Sequence, residues 1–114
     1  MERLRGFIGC LIVDEAAQST EPGILIPFQT GVRKILLIGD PYQLPSTTMS
    51  QDSSVTLFNR SLFERFLDNG VKPYFLNIQY RMAPMIREFP SSVFYQNRLI
   101  DAEDVTKRYL SIDN

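Results

Sequence analysis

Asp14 and Glu15 stand side by side where an apolar run, Phe7-Ile8-Gly9-Cys10-Leu11-Ile12-Val13, comes to an end. Adjacent carboxylates can divide the work of nucleotide triphosphate hydrolysis. One holds Mg2+ through its water shell, and the other orients or deprotonates the attacking water. A strand ending in a solvated acidic turn has the same local sequence, so the pair alone does not decide. A second apolar run, Lys34-Ile35-Leu36-Leu37-Ile38-Gly39, also ends in a carboxylate, Asp40. The loop after it, Pro41-Tyr42-Gln43-Leu44-Pro45, holds a long neutral amide between two prolines. Such an amide can hydrogen-bond a terminal phosphate and lose that contact on hydrolysis, although an ordinary surface turn reads the same. Tyr80-Arg81 adds a planar guanidinium suited to phosphate and an aromatic ring able to stack on a base. The competing reading there is a structural arginine at a helix entry.

The two apolar runs read as strands buried on both faces, as in a parallel sheet. Open α/β sheets bind ligands outside the carboxyl ends of their strands, which is where Asp14, Glu15 and Asp40 fall. Between the runs, Ser19 or Thr20 caps a helix with Pro22 in its first turn; Ile24, Leu25, Ile26 and Phe28 give it an apolar face and Gly31 stops it. Two strands joined in this way make a right-handed βαβ unit. Ser46 to Ser54 is polar and turn-prone and reads as a linker. Ser61-Leu62-Phe63-Glu64 is a capping box that opens a helix to Asp68, with Gly70 as its stop. A third strand is expected at Tyr74-Phe75-Leu76. Another helix begins at Pro84 with Met85, Ile86 and Phe89 as its apolar face, and Pro90 divides it from a second turn containing Val93, Phe94 and Tyr95. After Asn97 come Leu99-Ile100 and a polar tail of weak periodicity.

Composition narrows the function. The 114 residues are the size of one domain at most, and 44% are hydrophobic, which is ordinary for a globular chain. Twelve basic against thirteen acidic residues give a net charge of −1 with no basic block, so charge makes no case for nucleic acid or a membrane surface. The single cysteine, Cys10, excludes a disulfide framework, reads as a small core residue and points to a reducing intracellular compartment. The absence of histidine removes Ser-His and Cys-His triads and histidine metal sites. No run approaches the length of a membrane span, and residues 1–6, a short basic lead-in, lack a signal-peptide core.

Taken in order, Val13-Asp14-Glu15-Ala16-Ala17-Gln18-Ser19-Thr20-Glu21-Pro22, then Ile38-Gly39-Asp40-Pro41-Tyr42-Gln43-Leu44-Pro45, then Gln79-Tyr80-Arg81-Met82 resemble motifs II, III and IV of a superfamily-one helicase. The branch is that of the eukaryotic RNA/DNA helicases that include senataxin and the nonsense-mediated-decay helicase. The intervening segments Phe58 to Arg65 and Ile86 to Tyr95 are similar to that branch too, and the likeness runs roughly from residue 7 to residue 100. It implies an α/β fold: an incomplete RecA-like (P-loop NTPase) parallel sheet with flanking helices. Residues 1–50 would be the C-terminal part of one RecA-like domain and residues 51–114 the N-terminal part of a second. It implies ATP and Mg2+ as cofactors of a full-length parent, single-stranded RNA or DNA as its partner, and the nucleus or cytoplasm, the nucleus favoured, as its compartment.

Carried over by position, Asp14 coordinates Mg2+ through water and Glu15 orients or activates the hydrolytic water. Gln43 senses the γ-phosphate. Tyr80 stacks near the adenine, and Arg81 reaches across the domain cleft as an arginine finger. Gln18, Asp40 and Gln79 join Asp14 and Tyr80 in the nucleotide-binding set, and Pro45, Ser46 and Thr47 lie towards the nucleic acid. The departures are Ala83 where the family usually has histidine, Tyr42 in place of a more usual polar residue, and no G-x-x-x-x-G-K-[S/T] phosphate loop. The sequence therefore resembles the middle of a helicase, inactive alone, with no tightly bound cofactor. Its open sheet then needs missing helicase segments or a partner protein to cover it. A short non-catalytic paralogue that binds nucleic acid or protein is the alternative.

Overall fold

The computed structural model of the chain describes residues 8–50 and 52–110. The lead-in over residues 1–6, and Phe7 at the head of the first run, lie outside the described residues. The fold is a small α/β arrangement of short parallel sheets and flanking helices. It divides into two compact units between Pro73 and Tyr74.

In the first unit, β1 (Cys10–Val13) pairs in parallel with β2 (Lys34–Leu37), Cys10 opposite Lys34 and Val13 opposite Leu37. Their connection is a 3₁₀ turn at Ala16–Gln18, the helix α1 (Glu21–Leu25) and a second 3₁₀ stretch at Ile26–Thr30. Pro22 and Pro27 both sit in first turns, where a missing N–H costs nothing. Gly31 closes the segment at φ 81, as its role as a stop requires. Both strands alternate half-buried and exposed positions, so only one face of the sheet is covered. Ile24 on α1 is buried on that covered side with Val13, Ile35 and Leu37. On the other face Ile12 and Leu36 remain more than half, or half, exposed, and Cys10 is exposed rather than a core residue.

The expected linker is built more firmly than its composition suggests. Ser46 and Ser53 are buried, and a short helix, α2 (Asp52–Val55), forms within it. The hydroxyl of Ser46 donates to the Asn59 carbonyl, and that of Ser53 donates to the Ser50 carbonyl at 2.6 Å. Serines that turn inward in this way satisfy a loop with too few apolar residues to pack. The helix α3 (Leu62–Asp68) starts at the expected capping box, with Glu64 N donating to Ser61 Oγ at 3.1 Å and Ser61 N donating to Glu64 Oε2 at 2.9 Å. Its other end is a Schellman motif: Gly70 at φ 82 donates to Leu67 O and Val71 donates to Phe66 O. The helix lies in the first unit because Leu62 is buried against Ala16 and Ile24.

In the second unit, β3 (Ile78–Gln79) pairs in parallel with β4 (Ile100–Asp101), and the connection contains α4 (Pro84–Phe94). The helix α5 (Glu103–Leu110) follows β4 where the sequence shows only a polar tail. Tyr74-Phe75-Leu76 is not a strand. Tyr74 is 99% exposed, and Phe75 instead lies beneath the Arg98 guanidinium, 4.3 Å from its ring centroid. Pro90 does not divide α4; its missing N–H removes one bond to the Ile86 carbonyl and the helix runs through. Nor do Met85, Ile86 and Phe89 form the packing face, for all three are largely exposed. The buried residue of α4 is Ser91, whose hydroxyl accepts from Leu99 N at 3.3 Å and whose carbonyl accepts from Asn97 N at 2.8 Å.

The capping box yields a direct test. Ser61→Ala removes the buried half of a reciprocal cap and is expected to lower stability by about 1 kcal/mol, read as a lower urea midpoint. Ser61→Thr, which restores both the acceptor for Glu64 N and the donor to Glu64 Oε2, should recover most of it.

Candidate functional site

The carboxyl ends of β1 and β2 are drawn together beyond the strands themselves. Ile38 N donates to Val13 O at 2.8 Å, and Ala16 N donates to Ile38 O at 2.7 Å. Ala16 and Ala17 are buried, and Gly39 lies directly against their backbone. A Cβ on Gly39 would meet Ala17 N at 2.9 Å and Ala16 N at 3.0 Å, so only glycine allows this approach. Gly39 was not among the expected site residues, yet it sets the spacing of all those in the first unit.

Asp14 and Glu15 project from this junction as exposed side chains. Glu15 takes the left-handed conformation, φ 50 and ψ 40, which costs a non-glycine residue about 1 kcal/mol or more. The turn tolerates it because Asp14 Oδ1 accepts from Glu15 N at 3.0 Å and Gln18 N donates to Glu15 O at 2.9 Å. Gln18 also extends its amide to Glu15 Oε2 at 3.3 Å. Across the junction, Asp40 accepts from Tyr42 N at 3.0 Å and from the Gln43 side-chain amide at 2.8 Å. Asp14, Glu15, Gln18, Asp40 and Gln43 are thus gathered at one end of the sheet. Pro45 and Thr47 are exposed, but Ser46 is 4% exposed with its hydroxyl committed inward. Ser46 is therefore corrected from a surface contact to a loop-building residue.

The second unit holds the other expected residues by themselves. Tyr80 and Arg81 are exposed at a tight turn after β3. The turn is organised by the half-buried Gln79. Its carbonyl oxygen accepts from Arg81 N at 2.9 Å and from Met82 N at 2.7 Å; its amide donates to Met82 O at 2.7 Å and to Asp101 Oδ1 at 2.6 Å. Asp101 in turn receives Arg87 through two hydrogen bonds, Nε at 3.2 Å and Nη2 at 3.0 Å. Hydrogen bonding from Arg87 holds the Asp101 carboxyl below the usual carboxylate range; burial opposes this, and the Gln79 bond assists it. The same hydrogen bond raises the pKa of Arg87. Neither Arg87 nor Asp101 was expected from the sequence, although Leu99-Ile100-Asp101 repeats the apolar-then-acid signature of Asp14 and Asp40.

Two AAA-domain family models match the chain, one over residues 1–51 and the other over residues 58–114. The chain is 48% identical over 91 residues to the helicase SEN1 of Saccharomyces cerevisiae, covering 80% of this chain and 4% of that protein. It is 38% identical to regulator of nonsense transcripts 1 of Caenorhabditis elegans, over 89% of this chain and 9% of that one. To the ATP-dependent helicase upf1 of Schizosaccharomyces pombe it is 37% identical, over 86% of this chain and 11% of that protein. The chain belongs to the AAA-domain helicases of superfamily one, in the branch of these SEN1- and upf1-type proteins. It spans roughly a tenth or less of the length of the relatives it matches.

Gly39→Ala is expected to destabilise the first unit by about 1–3 kcal/mol through forced separation of two backbones. The measurement is urea denaturation, with faster amide exchange at Ala16 as the local sign. Acid provides a second test. Because the folded pKa of Asp101 is depressed, its pairing stabilises the protein above the ordinary aspartate range and is lost as pH falls through the lower folded value. Asp101→Asn should therefore flatten the acid limb of stability against pH and lower the plateau at neutral pH.

Proposed function

We propose that the chain supplies the nucleotide-hydrolysing motifs of an ATP-dependent RNA or DNA helicase, in units of RecA-like, P-loop NTPase type. The observation that supports this best is the junction of Ala16-Ala17 with Gly39, which brings Asp14 and Glu15 beside Asp40 and Gln43 at the carboxyl ends of two adjacent parallel strands. The first unit, helix α3 included, then belongs to one RecA-like domain, and the second unit opens the next.

The donor set suits Mg2+. Among the described residues no group of three histidine, cysteine, aspartate or glutamate side chains could cage a metal. Mg2+ in nucleotide sites needs no such cage, since one or two carboxylates suffice when waters and phosphate oxygens complete the octahedron. Asp14 is exposed, with Oδ1 on the Glu15 N–H, and its carboxylate would hold the ion through a bound water. When bound, Mg2+ and ATP together supply a γ-phosphoryl group whose charge is partly neutralised. Glu15 orients the attacking water. Its left-handed backbone turns the chain at the strand end, and the Gln18 amide reaches its carboxylate at the exposed surface. Gln43 would exchange its bond to Asp40 for one to the terminal phosphate, and in the second unit Arg81 would offer a guanidinium suited to phosphate. Tyr80, 64% exposed, stacks on the base. Pro45 and Thr47 face the single strand. The exposed Ile12, Leu36 and Ile38 rest against further helicase segments or a partner. No helix among the described residues is long and apolar enough to cross a membrane; a reducing compartment, nucleus or cytoplasm, fits the proposed role.

The test is a chimera in which this segment replaces the matching 91 residues of the yeast helicase SEN1. RNA-stimulated ATP hydrolysis should survive the exchange. Glu15→Gln and Arg81→Ala should each lower kcat by about a thousandfold. Unchanged turnover in either variant removes that residue from the mechanism.

A further inference from the structure

Gln79 uses its whole hydrogen-bonding capacity within the protein: two bonds accepted by the carbonyl and two donated by the amide. Which way round the amide sits decides the turn. Reversed, it would set its NH2 against the N–H groups of Arg81 and Met82 and its oxygen against the Met82 carbonyl. The turn's own backbone groups specify that sense only once the turn is formed; a partner outside the turn that can only accept specifies it beforehand. An ionised carboxylate can only accept, and Asp101 Oδ1 lies 2.6 Å from Gln79. Arg87 keeps that carboxylate ionised and fixes its plane through two hydrogen bonds, in a pair whose side chains are 22% and 11% exposed. Glu88 is the other charge bearing on Arg87, and it too favours the guanidinium.

We propose that Arg87 and Asp101 are positioning residues for the Tyr80-Arg81 turn: the ion pair sets the sense of the Gln79 amide, and the amide sets the turn. The importance of this for hydrolysis rests on the reading that Arg81 meets the terminal phosphate; the positioning itself rests on the turn alone. The second unit thereby has an orienting carboxylate 22 residues from Gln79 in sequence, on the neighbouring strand, for a turn that must take one form.

The experiment is amide exchange by NMR on the full 114-residue chain without nucleotide. In the unsubstituted chain the Arg81 and Met82 amides should be protected and the two Gln79 side-chain protons, both hydrogen-bonded, shifted from their free positions. Asp101→Asn should move those signals towards their free positions and speed exchange at Arg81 and Met82 by about tenfold or more, while Ile100 and Ala102 keep their protection. A uniform loss across the second unit would mark the pair as merely structural. Gln79→Glu provides the independent variant: it keeps the acceptor for both turn N–H groups but loses the donor to Met82 O and sets a second carboxylate against Asp101. Protection should fall in that variant and return in part when it is combined with Asp101→Asn, which puts a donor back at the contact between residues 79 and 101 but not at Met82 O. No change with Asp101→Asn, or no recovery in the combined variant, overturns the proposal. In the SEN1 chimera Asp101→Asn should lower kcat with little change in KM for ATP. Turnover unaffected beside a loosened turn would sink the phosphate role of Arg81 while upholding the positioning.

Discussion

Everything in the first unit depends on how closely the Gly39 backbone can approach that of Ala16 and Ala17. Parallel strands hold their spacing through the ladder, but β1 and β2 are only four residues long and the ladder ends at Val13 and Leu37. Two further bonds, through Ile38, carry it past the strand ends to the base of the acidic turns. These bonds form only because residue 39 has no side chain and residues 16 and 17 have the smallest that still bury. A steric constraint thus replaces the missing length of sheet. It also accounts for the strained backbone at Glu15: with Ala16 held against Ile38, the chain must turn sharply within one residue, and the left-handed conformation does so. Close approach confers the strain, and the Asp14 and Gln18 bonds offset part of it.

The second unit solves the same problem with charge. Its sheet is shorter still, two residues on each strand, and its fully buried residues include Ser91 as well as Val105. Here the strand ends are tied by side chains. Gln79 and Asp101 stand opposite each other in register, and Arg87 from α4 clamps the pair. A carboxylate that is nearly buried is tolerable because all its bonds are charge-assisted or fully formed. A half-satisfied version would be worse than an apolar one, which is why this cluster specifies a single geometry.

Signals that act within four residues were legible in the sequence. The capping box at Ser61 and the glycine stops at Gly31 and Gly70 are set by local backbone needs, and all three occur as expected. The two apolar runs gave the strands and the placement of Asp14, Glu15 and Asp40 at their ends. What stayed hidden depended on distant partners. The tail conceals β4 and α5 because a two-residue strand has no periodicity to detect. The apolar spacing on α4 pointed the wrong way, since its packing is governed by Ser91 and the Arg87 pair while Met85, Ile86 and Phe89 face outward. The β-rich Tyr74-Phe75-Leu76 found an arginine to lie under before it found a strand to pair with. Gly39 was visible as a letter in a motif, but its function needed the facing backbone.

Three glutamines stand beside the groups that matter, and they are held with unequal strength. Gln18 reaches Glu15 at 3.3 Å in the open, a contact that adds little against water. Gln43 holds Asp40 at 2.8 Å, also at the exposed surface, where an incoming phosphate oxygen could compete for its amide at small cost. Gln79 is half-buried with four bonds, so moving it would break several interactions at once and leave polar groups unmatched. The gradient matches the work assigned to each. An amide that must let go when a phosphate arrives belongs at the surface with one partner. An amide that must hold a turn in one form belongs inside with all its partners satisfied. Release and retention are thus set by burial and by the number of simultaneous bonds, with the same side chain serving both.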